Sequence, residues 1–333
     1  MTGSVEILLP TTVDMTIALP DGVRAVAYDP RAELPVSAGN TEGLVLWGSS
    51  AAWIRAAVPR LPRLRWVQTL GAGYEALTAA GFDDDVVICN GAGLHDAPVA
   101  EHALMLGLAA ARRLDLLLRA QLAGEWSDRG GLQDLDNARE LTTLAGARCL
   151  VWGFGGIGRT LAQYLRMLGA EVTGVARMAG ERDGFRVVAE DDVDGLLPAT
   201  DLLFMILPDA PGTRHVLDAR RIRLLPRTAW LVNVGRGSTV DEAALTEALA
   251  SGSLGGAALD VFETEPLPAT SPLWRLDNVI ISPHAAGGRP RGYAALIAHN
   301  AEALLGLRPW RNVVRPGRPG PSRAAPGDRR GHE

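Results

Sequence analysis

The sequence predicts an α/β protein of two doubly wound domains, and three observations carry that expectation. At 333 residues the chain exceeds the roughly 250 residues at which a single core usually stops growing, so about two domains are expected. Short apolar segments alternate with turn residues and helical patterns almost throughout, which favours parallel sheets flanked by helices over an all-β or all-α fold. A glycine-rich turn, GFGGIG, joins an apolar strand-like run to a helical pattern.

In chain order, the first strands are expected at VEILLP (Val5 to Pro10), VRAVAY (Val23 to Tyr28), GLVLWG (Gly43 to Gly48), LRWVQTL (Leu64 to Leu70) and VVICN (Val86 to Asn90). They form a first lobe ending near residue 95. A long helix follows from about Ala97 to Leu122, with Asp96 and Pro98 as entry signals and alanine and leucine at helical spacing. The second lobe starts with strand, glycine turn and helix over Ala147 to Leu168. Its further strands lie near Glu171 to Ala176, Leu202 to Leu207, Ala229 to Val234, Ala257 to Phe262 and Val279 to Ser282. A last helix pattern, Gly292 to Gly306, folds back onto the first lobe. The domains expected are therefore 1–95 with 286–314, and 96–285. Two crossings between them make a hinge and a cleft, the usual place for a ligand. From 315 to 333 the chain is rich in proline, glycine and arginine and is expected to be a disordered tail.

Composition excludes several functions. All 33 basic residues are arginine, so Schiff-base chemistry and a Walker-type phosphate loop, which need a lysine amine, are ruled out. The net charge of −5 disfavours nucleic acid as a main partner. No apolar run reaches the roughly 18 residues that span a bilayer, and the N-terminus lacks the basic start of a signal peptide, so no membrane association and a cytoplasmic location are expected. Cys89 and Cys149 sit in apolar strand-like surroundings with no ligand cluster, so neither a metal nor a disulfide is expected.

The glycine turn runs from Gly153 through Gly155, Gly156 and Ile157 to Gly158. The first glycine permits the tight turn, the second lets the backbone approach a pyrophosphate, and the third lets helix pack close to strand, as in a Rossmann dinucleotide-binding domain. The acidic residue that would hold an adenine ribose should end the next strand, where this chain has Ala176 and Arg177. Loss of that carboxylate removes repulsion against a 2′-phosphate, and Arg177 can pair with one. NADP is therefore favoured over NAD. The competing reading leaves Arg177 solvated or stacked on adenine, with Glu181 or Asp183 reaching the ribose.

Three further side chains follow strand-like segments: Arg236 in LVNVGRG, Glu265 in ALDVFETEP and His284 in VIISPHAAGG. Ligands of open α/β sheets bind outside the carboxyl ends of the strands. A guanidinium there suits a carboxylate and its neighbouring carbonyl, and a histidine beside a carboxylate can pass a proton to a carbonyl oxygen as hydride arrives at carbon. Each residue alone has an ordinary surface explanation; the pattern behind a dinucleotide loop does not.

At these residues the chain resembles the D-isomer-specific 2-hydroxyacid dehydrogenase family over about residues 40 to 315. The stretches that carry the resemblance are GAGYEAL, VAEHALMLGLAAARR, GFGGIGR, ILPDAPGTRHVLD, LVNVGRGSTVDEAAL, ALDVFETEPLP and SPHAAG. The resemblance implies that His284 is the proton donor and acceptor, Glu265 its partner and Arg236 the substrate anchor. It also implies that amides near Ala72 and Gly73 hold the substrate carboxylate and that Asp260 contacts the nicotinamide carboxamide. Pro208, Thr213, Val234 and Gly287 would line the cofactor channel. A flavodoxin-like first lobe and a homodimer joined around the helix after Asp96 are implied in the same way.

Trp47, in the loop WGSS, should face the substrate tail, followed by Tyr74. A phosphoglycerate-type member would be expected to carry a basic residue near Trp47, so a small or apolar 2-keto acid (or the 2-hydroxy acid) fits better. Arg289 and Arg291 either hold a second anionic group or are solvated. Formate oxidation is disfavoured by the glutamate partner that Glu265 supplies. An NAD(P)H-binding sensor or corepressor on the same fold stands as the alternative to an enzyme.

Overall fold

The computed structural model describes residues 4–14, 16–126, 137 and 139–317. The chain divides into two compact units, one from the residues up to Leu94 together with those from Pro290, the other from His95–Arg289. The first unit opens with β1 (Val5–Pro10), β2 (Val23–Tyr28), β3 (Gly43–Leu46), α1 (Ala51–Ala57), β4 (Trp66–Thr69), α2 (Glu75–Thr78) and β5 (Val87–Cys89). The second begins with α3 (Asp96–Ala111), α4 (Leu114–Ala123), β6 (Arg148–Trp152), α5 (Gly156–Met167), β7 (Glu171–Ala176), β8 (Gly180–Arg182) and β9 (Phe185–Ala189). It continues with β10 (Leu202–Met205), α6 (Ala219–Ile222), β11 (Trp230–Asn233), α7 (Glu242–Ala250), β12 (Gly256–Leu259) and β13 (Val279–Ile281). The chain then returns to the first unit with α8 (Tyr293–Leu304) and β14 (Val313–Arg315).

In the first unit the sheet order is β14-β5-β4-β3-β1-β2, with β1 to β5 parallel and β14 antiparallel on one edge. The five parallel strands thus wind in the flavodoxin-like order. In the second unit the order is β13-β12-β11-β10-β6-β7-β9-β8. All pairs are parallel except the β8–β9 edge. Connections leave β6 in opposite directions, and this switch point opens the crevice in which doubly wound sheets bind nucleotides.

Central strands are apolar on both faces because helices cover both. In β6, Cys149 and Val151 pack with α3 and α5 while Leu150 and Trp152 pack toward α6 and α7. α5 buries Gly158, Leu161, Ala162 and Leu165, the one-sided spacing of an amphipathic helix. Burial pushes the thiols of Cys89 and Cys149 up to about 12, which leaves both as inert core groups.

The structure corrects three expectations. The helix expected over Ala97 to Leu122 is two helices, α3 and α4, because Arg113 takes a left-handed conformation (φ 47°). That turn lets its guanidinium hydrogen-bond buried Asp115 at 3.0 Å and lie 5.5 Å from the Trp230 ring. A hairpin, β8 and β9, follows β7 where none was expected. Asp183 and Gly184 both have positive φ, as the tight turn between antiparallel strands requires. The return crossing falls at Arg289–Pro290 rather than at 285/286. Residues 285–287 are tied into the second unit by the Ala285 and Ala286 amides on Asp260 and by the Gly287 carbonyl on His95. The tail beyond 317 lies outside the described residues.

Candidate active site

The glycine loop stands at the carboxyl end of β6. Gly153 has φ 106°, and a Cβ there would run into the Ile206 carbonyl at the end of β10. At Gly158 a Cβ would meet the Gly153 carbonyl, so the helix could not approach the strand. Gly155 differs: a Cβ would find nothing within 4 Å, so the absent side chain leaves open space over the loop. Gly155 is also the N-cap of α5 and supplies no side-chain cap. First-turn amides of that helix are therefore available to an anion. Ile157 packs into the core below. Open backbone and uncapped amides fit the pyrophosphate of a dinucleotide.

Three arginines surround this loop. Arg177 is exposed just past β7. Arg182 donates to the Phe154 carbonyl and to the Met178 carbonyl, both at 3.1 Å, which ties the glycine loop to the segment that carries Arg177. Arg159 pairs with Asp183 at 3.3 Å, so that carboxylate is already engaged. Asp96 lies against Gly156, and burial holds its carboxyl above the usual carboxylate range, with Arg159 and His95 opposing. Arg159 and Arg182 escaped the sequence reading, and Asp96 was read there only as a helix entry signal. Arg159 directly after the motif was the one local signal.

Arg236 follows β11. The glycines on either side permit close approach of neighbouring loops: a Cβ on Gly235 would lie 2.7 Å from the Leu207 amide, and one on Gly237 would overlap the Phe262 backbone. Buried Asn233 clamps the turn, accepting from the Gly235 amide at 3.1 Å and donating to the Arg236 carbonyl at 3.1 Å. The half-buried guanidinium donates to the Gly235 carbonyl at 2.7 Å. Among the described residues no carboxylate pairs with it.

Glu265 and His284 meet. Glu265 Oε1 accepts from the Phe262 amide at 3.1 Å, and its Oε2 lies 2.7 Å from His284 Nδ1. The carboxylate thereby holds the proton on Nδ1 and leaves Nε2 for chemistry. His284 has φ 51°, a conformation that L side chains rarely adopt. Its amide donates to the Asp260 carbonyl at 2.8 Å.

Asp260 is fully buried. Its carboxylate accepts from Ser282 Oγ at 2.6 Å and from the Ala285 and Ala286 amides at 2.9 and 3.0 Å. Through these bonds it braces the His284 loop. Gly287 accepts from His95 Nδ1 at 2.8 Å. After β10, Thr213 Oγ1 lies 2.6 Å from the Pro208 carbonyl and accepts from the Ala210 amide at 3.0 Å, which closes that loop on itself. Val234 is buried, with its amide on the Met205 carbonyl.

In the first unit, Trp47 follows β3 and its carbonyl accepts from Thr12 Oγ1 at 2.7 Å. Ala72, Gly73 and exposed Tyr74 follow β4, and Asn90 donates to the Ala72 carbonyl at 2.7 Å. Among the described residues no His, Cys, Asp and Glu cluster could hold a metal ion. No helix among them is long and apolar enough to cross a membrane.

Comparison with known proteins gives one consistent result. A family model described as D-isomer specific 2-hydroxyacid dehydrogenase, NAD binding domain, matches residues 104–286. Glyoxylate/hydroxypyruvate reductase B of Serratia proteamaculans (strain 568) is 34% identical over 307 residues, covering 89% of this chain and 90% of that protein. A D-isomer specific 2-hydroxyacid dehydrogenase from Xanthobacter autotrophicus Py2, solved with NADPH and MES, matches with a TM-score of 0.75 at 29% identity, covering 94% of this chain and 98% of that one. An NADPH-dependent glyoxylate/hydroxypyruvate reductase from Sinorhizobium meliloti, solved with NADP and sulfate, matches with a TM-score of 0.78 at 26% identity and the same coverage.

Proposed function

The chain belongs to the D-isomer specific 2-hydroxyacid dehydrogenase family, and from that premise we propose how its residues reduce a small 2-keto acid to the D-2-hydroxy acid, or run the reverse. The observation that carries the proposal is the 2.7 Å contact of His284 Nδ1 with Glu265 at the carboxyl edge of the sheet that bears the glycine loop. A bound NADPH or NADH supplies the hydride. Arg236 holds the substrate carboxylate and its neighbouring keto oxygen through its fork of donors. His284 donates its Nε2 proton to that oxygen as charge develops there, and takes it back in the oxidative direction. Glu265 keeps the imidazole in the required tautomer and stabilises its protonated form. Positioned acid–base catalysis of this kind contributes roughly 100- to 10,000-fold.

The glycine loop from Gly153 to Gly158, with Pro208, Thr213, Val234 and Gly287, holds the cofactor. Arg177 takes the 2′-phosphate and favours NADP, a reading supported by its exposure and by the tether that Arg182 makes beside it. Ala72 and Gly73 amides hold the substrate carboxylate, and Trp47 meets its tail. Glyoxylate and hydroxypyruvate, named for the relatives above, are the first substrates to test. Those relatives are named as reductases and dehydrogenases, which gives a corepressor role no support. The protein works as a homodimer, a reading supported by the exposed leucines on α4.

The test mixes the protein with NADPH or NADH and a panel of 2-keto acids and follows loss of absorbance. Turnover is expected with NADPH preferred, and His284→Gln should lose at least about 100-fold in kcat with cofactor binding intact. Cofactor binding without turnover on any keto acid would overturn the assignment. Arg177→Ala should erase the preference for NADPH; an unchanged ratio between the cofactors would remove the 2′-phosphate argument.

A further inference from the structure

His102, near the middle of α3, has no part in the hydride chemistry, yet its imidazole reaches the loop that carries His284. Its Nε2 lies 2.9 Å from Ser282 Oγ and 3.3 Å from Asp260 Oδ1. The side chain is only 17% exposed and that of Asp260 not at all.

Proton bookkeeping fixes the direction of these contacts. Asp260 accepts two backbone amides, so its carboxylate is an acceptor and Ser282 must give it the single hydroxyl proton at 2.6 Å. Ser282 Oγ can then only accept from its other neighbour. His102 Nε2 therefore carries a hydrogen and donates it. Donation converges on Asp260: its carboxylate accepts from His102 by way of Ser282 and from the amides of Ala285 and Ala286, and its carbonyl accepts from the amide of His284. Left-handed backbone at a residue other than glycine persists only where its surroundings over-determine it, and this chain of bonds surrounds His284 on both sides.

We infer that His102 is a positioning residue for the reduction: its Nε2–H orients the Ser282 hydroxyl onto Asp260 and so holds the turn that presents the His284 imidazole. The inference rests on His284 as proton donor. It adds a residue on a helix distant in sequence from the three that do the chemistry, and it assigns Ser282 a second task beyond ending a strand.

The experiment compares full-length His102→Leu, His102→Gln and Ser282→Ala with the unaltered protein. It uses amide hydrogen exchange at Ala285 and Ala286 without added ligand, and kcat and KM for the keto acid that the protein reduces. Gln keeps a donor near the position of Nε2; Leu does not. His102→Leu and Ser282→Ala should each lose about 10-fold in kcat at near-constant KM and exchange those amides about 10-fold faster, the scale of one buried polar group left unpaired. His102→Gln should stay within about two-fold of the unaltered protein in both measurements. If His102→Leu fails to fold, Ser282→Ala carries the same comparison. A leucine variant with unchanged kcat and exchange, or a glutamine variant as impaired as the leucine one, would overturn the role. Should the unaltered protein reduce no keto acid, the assignment of the reaction fails while the exchange comparison still decides the role of His102 in the loop.

Discussion

Asp96 shows how a single carboxyl reports on its surroundings. Burial holds it above the usual carboxylate range, and the opposing fields of Arg159 and His95 do not cancel that effect. A carboxyl whose folded pKa is raised is best tolerated while protonated. Its penalty is absent below the unfolded value near about 3.9 and grows as pH rises through the folded one. Asp96→Asn removes the titration. The variant should match the unaltered protein in Tm near pH ~3.5 and exceed it by a margin that opens toward pH ~7. Thermal unfolding across that range checks the sign, and a constant difference would mean the carboxyl pays nothing for its place. Legibility at this scale was uneven. Arg236, Glu265 and His284 were readable because each sits in a short motif after a strand, whereas Asp96, Ser282 and His102 act through partners far along the chain.

At the scale of elements, glycines set how closely neighbouring strand-end loops approach. Gly237, between Arg236 and the rest of its turn, has no room for a Cβ because the Phe262 backbone occupies the space. Phe262 in turn donates its amide to Glu265. Gly237→Ala must push the anchor's turn away from the turn of the acid–base pair, at a cost of about 1–3 kcal/mol in stability. The urea midpoint should fall and turnover should fall with it; a variant with both unchanged would show that the turns are not coupled. Helical periodicity ran unbroken through Arg112 and Arg113, with neither glycine nor proline to mark the break between α3 and α4. The partners that turn the chain there, Asp115 and Trp230, include a ring from a distant strand. The hairpin was different: its Asp183-Gly184 turn signal is present in the sequence, but at that strand end Asp183 reads equally well as a ribose ligand.

For the whole molecule, each unit has a sheet covered on both faces, but the second leaves an apolar stripe outward. Leu114, Leu118 and Leu122 follow one another at four-residue spacing along α4 with exposures of 42%, 47% and 87%, and Met105 and Leu108 of α3 are 48% and 38% exposed. Exposed apolar side chains repeated along one helix of a charged protein point to an interaction surface. In a homodimer the same stripe meets its copy. Leu118→Glu places a charge in that contact and should shift the sedimentation profile from dimer to monomer at micromolar concentration. An unaltered protein that already sediments as a monomer would dismiss the dimer.

The sequence by itself determined the class of fold, where most strands lie along the chain, the glycine turn and the three strand-end side chains to which the reaction is assigned by proposal. These depend on local periodicity, turn chemistry and motifs, which are written in contiguous residues. Only the tertiary structure decided where the long helix breaks, that Asp260 faces the His284 loop, and that His102 and Ser282 stand behind it. Such contacts join residues separated by up to 180 positions, as from His102 to Ser282, and hydrogen-bond direction among buried groups depends on which partners folding brings within about 3 Å.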